Sequence, residues 1–161
     1  MNKVLEKTND AALVAPLAHK IWMEYYPDVM GREYTIYVLE NYHSLKTIKS
    51  DIEKGMIYYL IKDSINPIGY FAYIIDDKGL YISKLYLLKE YRGKNIMEDV
   101  FSLLTQEARL KGKKIIYLNV NKHNVASIKY YQRKGFSIIE DVNIPIGPSY
   151  SFDDYIMAKE V

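Results

Sequence analysis

Arg92, Gly93 and Lys94 stand where an apolar, strand-like run gives way to a helix-like one, in LYLLKEYRGKNIM at residues 85–97. Such a junction favours anions. The first N–H groups of a helix have no intrahelical partner, and the helix dipole adds positive potential at that end. A glycine lets the main chain approach a phosphate closely, and two flanking cations suit a pyrophosphate. The segment is not a P-loop, because G-x-x-x-x-G-K-[ST] is absent, and no G-x-G-x-x-G occurs in the chain. A solvated basic turn with a glycine bend is the competing reading.

A second stretch, NKHNVASIKYYQRKGF at residues 121–136, follows the next strand-like run. Asn124, Ser127 or Ile128, and Tyr131 are spaced to share one face of a helix. Tyr131 then lies two turns below a polar helix start, and Gly135-Phe136 returns the chain to the sheet. Taken alone, a phenol there reads as a core tyrosine whose hydroxyl meets a partner.

Composition removes several chemistries. There is no cysteine, which excludes disulfides, thiolate nucleophiles and cysteine-based zinc sites. His19, His43 and His123 share no ligand spacing, so no metal is expected. His43 and His123 are titratable alternatives for proton transfer, read as surface or capping residues. A formal charge of +2 does not argue for nucleic acid, and Glu90, Glu98, Asp99, Glu140 and Asp141 interrupt any positive face. No apolar run reaches the ~20 residues that span a bilayer, and MNKVLEKTND has no apolar core of a signal peptide. A cytoplasmic protein without membrane partners is expected. The 17 tyrosines against 4 phenylalanines fit either half-buried ring packing or an aromatic acceptor pocket.

The elements that must position these residues read as follows. Asn9 or Asp10 caps a helix through AALVAPLAHKIWMEYY, with Pro16 inside it and Pro27 at its end. Residues 32–42 and 44–54 read as two further helices, the second with Leu45, Ile48 and Ile52 on a buried stripe and Gly55 as its stop. Strands are predicted at 56–62, 68–75 and 80–88, with Asp76 to Gly79 as a hairpin turn. A helix at 94–111, a strand at 114–120, a helix at 124–134 and strands at 136–142 and 150–161 complete the chain. The order is helices, then β-β-β-α-β-α-β-β, which is a mixed α/β arrangement and not an alternating Rossmann sheet. At 161 residues a single domain, 1–161, is expected.

Together the two segments resemble the GCN5-related N-acetyltransferase (GNAT) superfamily. Its motif A carries a turn of the form [RQ]-x-x-G-x-[GA]. Arg92 fills the first fixed position, while Asn95 and Met97 stand where small residues are usual. Its motif B often reads N-x-x-[AS]-I-x-x-Y-x-x-x-G-F, and Asn124, Ser127, Ile128, Tyr131, Gly135 and Phe136 fill every fixed position. The resemblance covers roughly residues 56–142. It implies an α/β (α+β) fold: a mixed, mostly antiparallel sheet of six to seven strands, flanked by helices and splayed in the middle. It implies acetyl-CoA as co-substrate, with the pantetheine arm pairing along Leu85, Tyr86 and Leu87. The pyrophosphate would lie on Arg92, Gly93, Lys94, Asn95, Ile96 and Met97, with Asn124 and Ser127 also on the cofactor. Main-chain donors survive at Asn95 and Met97, so CoA binding is expected to persist. Tyr131 would protonate the departing thiolate after direct attack by an amine.

Some members of the superfamily carry a glutamate on the strand that includes residues 80–88. That face here shows Tyr81 and Ser83 and no carboxylate, with Lys84 on the opposite side by alternation. Deprotonation of the amine is therefore expected through ordered water, or with an acceptor that arrives partly neutral. Glu24, Tyr25, Tyr26, Asp28 and Tyr34, then Tyr150, Asp153 and Asp154, put aromatic faces beside carboxylates, which suits a cationic amine. Tyr26, Tyr34, Tyr81, Ser83 and Tyr150 are the candidate acceptor residues. The ending FDDYIMAKEV is similar to that of bacterial polyamine-acetylating members. A small-molecule amine is thus the expected acceptor. A peptide or protein N-terminus, and a catalytically silent acyl-CoA-binding module, are the alternatives. The resemblance also allows a homodimer.

Overall fold

A computed structural model describes residues 1–161. Its strands, β1 (Lys3–Thr8), β2 (Ile57–Asp63), β3 (Asn66–Ile75), β4 (Leu80–Leu87), β5 (Ile115–Asn121), β6 (Ser137–Pro145) and β7 (Ser151–Glu160), form one seven-stranded sheet in the order β1-β2-β3-β4-β5-β7-β6. The chain divides into two compact units, Met1–Ile74 with Ser83–Ser102, and Ile75–Ile82 with Leu103–Val161.

The first unit opens with β1 (Lys3–Thr8), which the sequence reading did not anticipate. It pairs antiparallel with β2 (Ile57–Asp63), from Lys3↔Asp63 to Thr8↔Tyr58. Of its residues only Thr8 is buried, so an edge strand of this kind shows little alternation to read. Helix α1 (Ala11–Met30) follows, capped by the Asp10 carboxylate accepting from the Ala12 N–H at 3.0 Å. Pro27 does not end it; both Pro16 and Pro27 lie inside. Each proline costs a helical hydrogen bond. Burial of Val14, Leu17, Ala18, Ile21 and Trp22 along one face offsets that loss, at ~1.5–3 kcal/mol for each large side chain. The helix stops instead at Gly31, whose φ of 89° is costly for other residues. Helices α2 (Arg32–Tyr42) and α3 (Leu45–Glu53) come next, α3 capped by Ser44 accepting from the Thr47 N–H.

β2 pairs antiparallel with β3 (Asn66–Ile75), and β3 lies beside β4 (Leu80–Leu87). The buried run Ile68, Tyr70, Phe71, Ala72 and Tyr73 shows that β3 is covered on both faces. Gly69 in this strand is there for close approach. A Cβ added to it would sit 2.5 Å from the Tyr86 carbonyl oxygen and 2.8 Å from Leu87 Cδ1. Gly69→Ala is therefore expected to lower unfolding stability by ~1–3 kcal/mol, as overpacking does. Urea denaturation measures this, and an unchanged midpoint would show that β3 and β4 can part at no cost.

In the second unit, the first residues of β4 run parallel to β5 (Ile115–Asn121), registered over Leu80↔Ile116, Tyr81↔Tyr117 and Ile82↔Leu118, where the ladder ends. β5 pairs antiparallel with β7 (Ser151–Glu160), and β7 with β6 (Ser137–Pro145). Leu104 and Ala108 of α4 (Ile96–Leu110), with Leu118, Phe136 and Met157, make the core of this unit. Helix α5 (Val125–Arg133) connects β5 to β6.

Candidate active site

The turn that joins β4 to α4 begins with a short 3-10 turn at Lys89–Tyr91, and the Arg92 N–H donates to the Lys89 carbonyl at 3.2 Å. Gly93 and Asn95 both take left-handed φ, 75° and 58°. Asn tolerates that region better than most residues, so it serves where glycine is usual. Arg92 to Asn95 are all exposed, and nothing lies within 4 Å of a Cβ placed on Gly93. The N–H groups of residues 93–97 donate to no main-chain carbonyl, while the Glu98 N–H already bonds to Asn95. These donors and the helix start they surround fit a diphosphate. Arg92 itself is braced: Nε donates to the Leu87 carbonyl at 3.3 Å and the guanidinium lies 4.3 Å from the Tyr25 ring centroid. Lys94 lies over Tyr91. Ile96 is buried and anchors the helix, whereas Met97 is half-buried.

In the second unit, Asn124 is the cap of α5. Its Oδ1 accepts from the Ser127 N–H at 3.4 Å, and the residue is buried. Tyr131 is half-buried and packs edge-on against Phe136, with ring centroids 5.7 Å apart. The Phe136 N–H donates to the Tyr131 carbonyl, so the Gly135-Phe136 turn fixes the helix end from which Tyr131 projects. Burial, with Tyr130 alongside, raises the Tyr131 hydroxyl above the ordinary phenol value, so it carries its proton at neutral pH.

Tyr26 is drawn into a buried aromatic cluster. It stacks on Trp22 at 4.0 Å, and Trp22 also meets His43 and Tyr86, whose ring stands near the backbone named for the pantetheine. Trp22 Nε1–H has no acceptor at hydrogen-bonding geometry, although it favours the anion of the neighbouring Tyr70. His43 is not a surface residue. It caps the C-terminus of α2 and is buried, with Nδ1 2.9 Å from the Tyr70 hydroxyl. Burial, then the charge of Lys84, holds its pKa well below the usual 6.5. The unfolded chain takes up a proton at this histidine below ~6.5 and the folded chain does not, so stability falls as pH drops through that value, by ~1.4 kcal/mol per unit. Asp154, whose carboxyl burial pushes up to about 6, acts in the opposite sense over the same acid range. The contribution of His43 is therefore read as a difference: between pH 6.5 and 4.5, His43→Asn should lose stability less steeply than the native chain by about that slope. Equal slopes in denaturation curves would mean that His43 is protonated in the fold. Tyr34 is half-buried on α2, and His123 is exposed.

The register of the second unit puts Tyr81, Tyr117, Asn119, Asn121 and Asp154 on one face of the sheet. The Tyr81 hydroxyl donates to Asn119 Oδ1 at 3.2 Å, and Asn119 Nδ2 lies 3.5 Å from Asp154 Oδ2. Tyr81 is pushed up to about 12 by burial and by the charges of Asp154 and Asp76. Asp76, at the opposite end of that face, accepts a hydrogen bond from the Tyr117 hydroxyl. Sequence reasoning placed Asp154 on the last strand, among the carboxylates that suit a cationic amine, but did not single it out; the partner strand that brings it to Asn119 is not readable from local pattern. Tyr150, half-buried, lies outside this cluster and accepts the Ile146 N–H on its carbonyl at the β6–β7 turn.

Lys84 faces away from Tyr81 and Ser83, as alternation requires, and it is buried. Nζ donates to the Tyr42 carbonyl at 2.6 Å, to the Tyr58 hydroxyl at 2.7 Å and to Asp51 Oδ2 at 3.2 Å. Burial lowers its pKa, and Asp51 partly opposes that.

Comparison with known proteins gives a consistent picture. The sequence profile of the acetyltransferase (GNAT) family matches residues 16–136. An uncharacterized N-acetyltransferase of Bacillus subtilis, YobR, is 32% identical over 80 residues, covering 50% of this chain and 32% of its own length. An uncharacterized N-acetyltransferase of Mycobacterium tuberculosis, Rv2669, is 30% identical over 86 residues, covering 53% of this chain and 54% of its own. The match thus spans from about a third to about half of these relatives. Among solved structures, the PaiA N-acetyltransferase of Thermoplasma acidophilum, determined in complex with coenzyme A, superposes with a TM-score of 0.83 at 20% identity, covering 100% of both chains. A GCN5-related N-acetyltransferase from Rhodopseudomonas palustris superposes with a TM-score of 0.81 at 14% identity, covering 100% of this chain and 97% of its own. At these identities the likeness is one of fold.

Proposed function

Because the chain belongs to the acetyltransferase (GNAT) family, we propose that it is an acetyl-CoA-dependent N-acetyltransferase that modifies a primary amine of a small molecule, polyamine-like in character. The observation that carries this reading is the exposed helix mouth at residues 92–97, where main-chain donors are left without carbonyl partners at a turn that glycine and asparagine hold open. Acetyl-CoA supplies an activated thioester. The chain's own residues supply the rest. The N–H groups of residues 93–97 and the charges of Arg92 and Lys94 hold the diphosphate. The backbone of Leu85 to Leu87 lines up the pantetheine arm, and Asn124 and Ser127 fix the helix that carries Tyr131. Tyr131 stays protonated at neutral pH and donates to the leaving sulfur. Holding the amine beside the thioester lowers the barrier through lost translational freedom.

Side chains of each unit support a cationic acceptor: in the first, Tyr34 on α2 and Ser83 on β4; in the second, Tyr81, Asp154 and, at the β6–β7 turn, Tyr150. Tyr26 supports it only indirectly, as a wall of the Trp22 cluster.

The test is a thiol-release assay with acetyl-CoA and a panel of spermidine, spermine, simple alkylamines and short peptides. Turnover with polyamines above peptides is expected. Preference for peptide N-termini would reassign the acceptor class. Saturable CoA binding by calorimetry without turnover of any amine would instead make the chain a silent acyl-CoA-binding module.

A further inference from the structure

Removal of a proton from the acceptor amine is the step for which neither the sequence nor β4 offers a base. β7 offers one. Asp154 retains 7% of its accessible surface, yet it has no cation bonded to it. Its one side-chain donor is Asn119 Nδ2, on Oδ2, which leaves Oδ1 without a protein donor. Asn119 is in turn fixed by the Tyr81 hydroxyl at 3.2 Å. This chain of contacts begins at Tyr81, one residue before the β4–β5 ladder ends at Ile82↔Leu118, and runs through Asn119, one residue beyond it. A buried carboxylate held by a single long amide hydrogen bond gains little from the fold when ionised. As a structural element it would be a poor choice; as a proton acceptor it is well suited.

We infer that Asp154 is the general base of the reaction, accepting the proton that the acceptor ammonium sheds, with Asn119 and Tyr81 as the residues that position it. The inference rests on the transferase reading above. The protons balance as follows. The ammonium gives its first proton to the Asp154 carboxylate, which passes it to bulk water. The neutral amine then forms the N–C bond at the thioester carbonyl. As the C–S bond breaks, Tyr131 gives its proton to the sulfur and is restored by the second proton lost from nitrogen.

The electrostatics agree. Burial, the first cause, and the neighbouring Asp153 raise the Asp154 carboxyl, the Asn119 hydrogen bond and Lys122 lower it, and the outcome is a value pushed up to about 6. Lys122 is largely engaged elsewhere, paired with Asp153 at 2.9 Å and with Asp141. Across the face stand Tyr81, whose hydroxyl burial and the charges of Asp154 and Asp76 keep protonated, and, beyond Tyr117, Asp76 itself. A base titrating just below neutrality is ionised at pH 7 and still basic enough to take a proton.

The experiment is the pH dependence of kcat/KM for spermidine acetylation by the native chain, Asp154→Asn and Asp154→Glu. The native chain should lose activity below pH ~6 along a single-group limb. Asp154→Asn should lose ~10²-fold or more at pH 7, and its rate should rise about tenfold per pH unit through neutrality, because only free amine reacts. Asp154→Glu should recover part of the loss and restore an acid limb. A buried carboxylate of purely structural importance would change the melting temperature and leave the shape of the profile alone. Asp154→Asn with near-native kcat/KM and an unchanged profile overturns the assignment and leaves the transferase reading intact. If that variant does not fold, the native profile decides, and the absence of a limb near pH 6 overturns the assignment equally. Failure of the native chain to turn over any amine removes the transferase reading and this inference together.

Discussion

Tyr131→Phe is expected to lower kcat for amine acetylation by ~10²–10³-fold while leaving the dissociation constant for CoA within about threefold. The phenol and the phenyl ring occupy the same place against Phe136, so the helix end and its packing are retained. What is lost is one proton at one oxygen. Burial has already raised that hydroxyl's pKa, which keeps the proton in place at the pH of the reaction and makes it available to a thiolate as charge develops there. A general acid in such a position contributes ~10²–10⁴-fold. The measurement is steady-state thiol release beside a calorimetric CoA titration. If kcat is unchanged, the sulfur is protonated by water or by another group, and Tyr131 is only a packing residue. If CoA binding weakens in step with kcat, the hydroxyl holds the ground state and is not specific to the transition state.

Asp51→Ala should destabilise the fold by ~3 kcal/mol, while Lys84→Met should be close to neutral. The asymmetry comes from where the two charges sit. Lys84 is almost wholly inside, whereas the Asp51 side chain keeps 22% of its surface. Removing Asp51 leaves an ammonium in a low-dielectric setting with only the Tyr42 carbonyl and Tyr58 hydroxyl to solvate it. Breaking a buried pair from one side costs several kcal/mol, and replacing the buried partner by an apolar chain of similar volume often costs nothing. In Lys84→Met the carboxylate retains the Tyr58 hydroxyl at 2.8 Å and partial access to water. Guanidinium denaturation of both variants, with the double variant to close the cycle, measures the effect. Equal losses from the two single changes would mean that Lys84 is held by its stem packing and not by its charge.

Both regions show how far local pattern reaches. The Asn124 cap, Tyr131 two turns on and Gly135 at the stop are set by spacing and by backbone preference within one helix, so the sequence alone carries them. The same holds for Gly93 and Asn95: left-handed φ is a property of the residue and its immediate turn. The hairpin at Asp76 to Gly79 and the strands on either side follow from short-range turn chemistry, with the Asp76 carboxylate accepting from the Lys78 and Gly79 N–H groups. β1 escaped that reading because an edge strand with one buried residue has almost no pattern. The passage of α1 through Pro16 and Pro27 escaped it because packing outweighed a local penalty.

The sequence by itself determined the motifs and their helices and strands, since each depends on contacts within a few residues. Tertiary structure alone decided that His43 is a neutral, buried partner of Tyr70, that Lys84 is an interior cation, and that Asp154 meets Asn119 across two strands. Those identities depend on residues 26 to 42 positions apart in the chain, and the solvation that sets a group's charge is fixed only when such neighbours close around it.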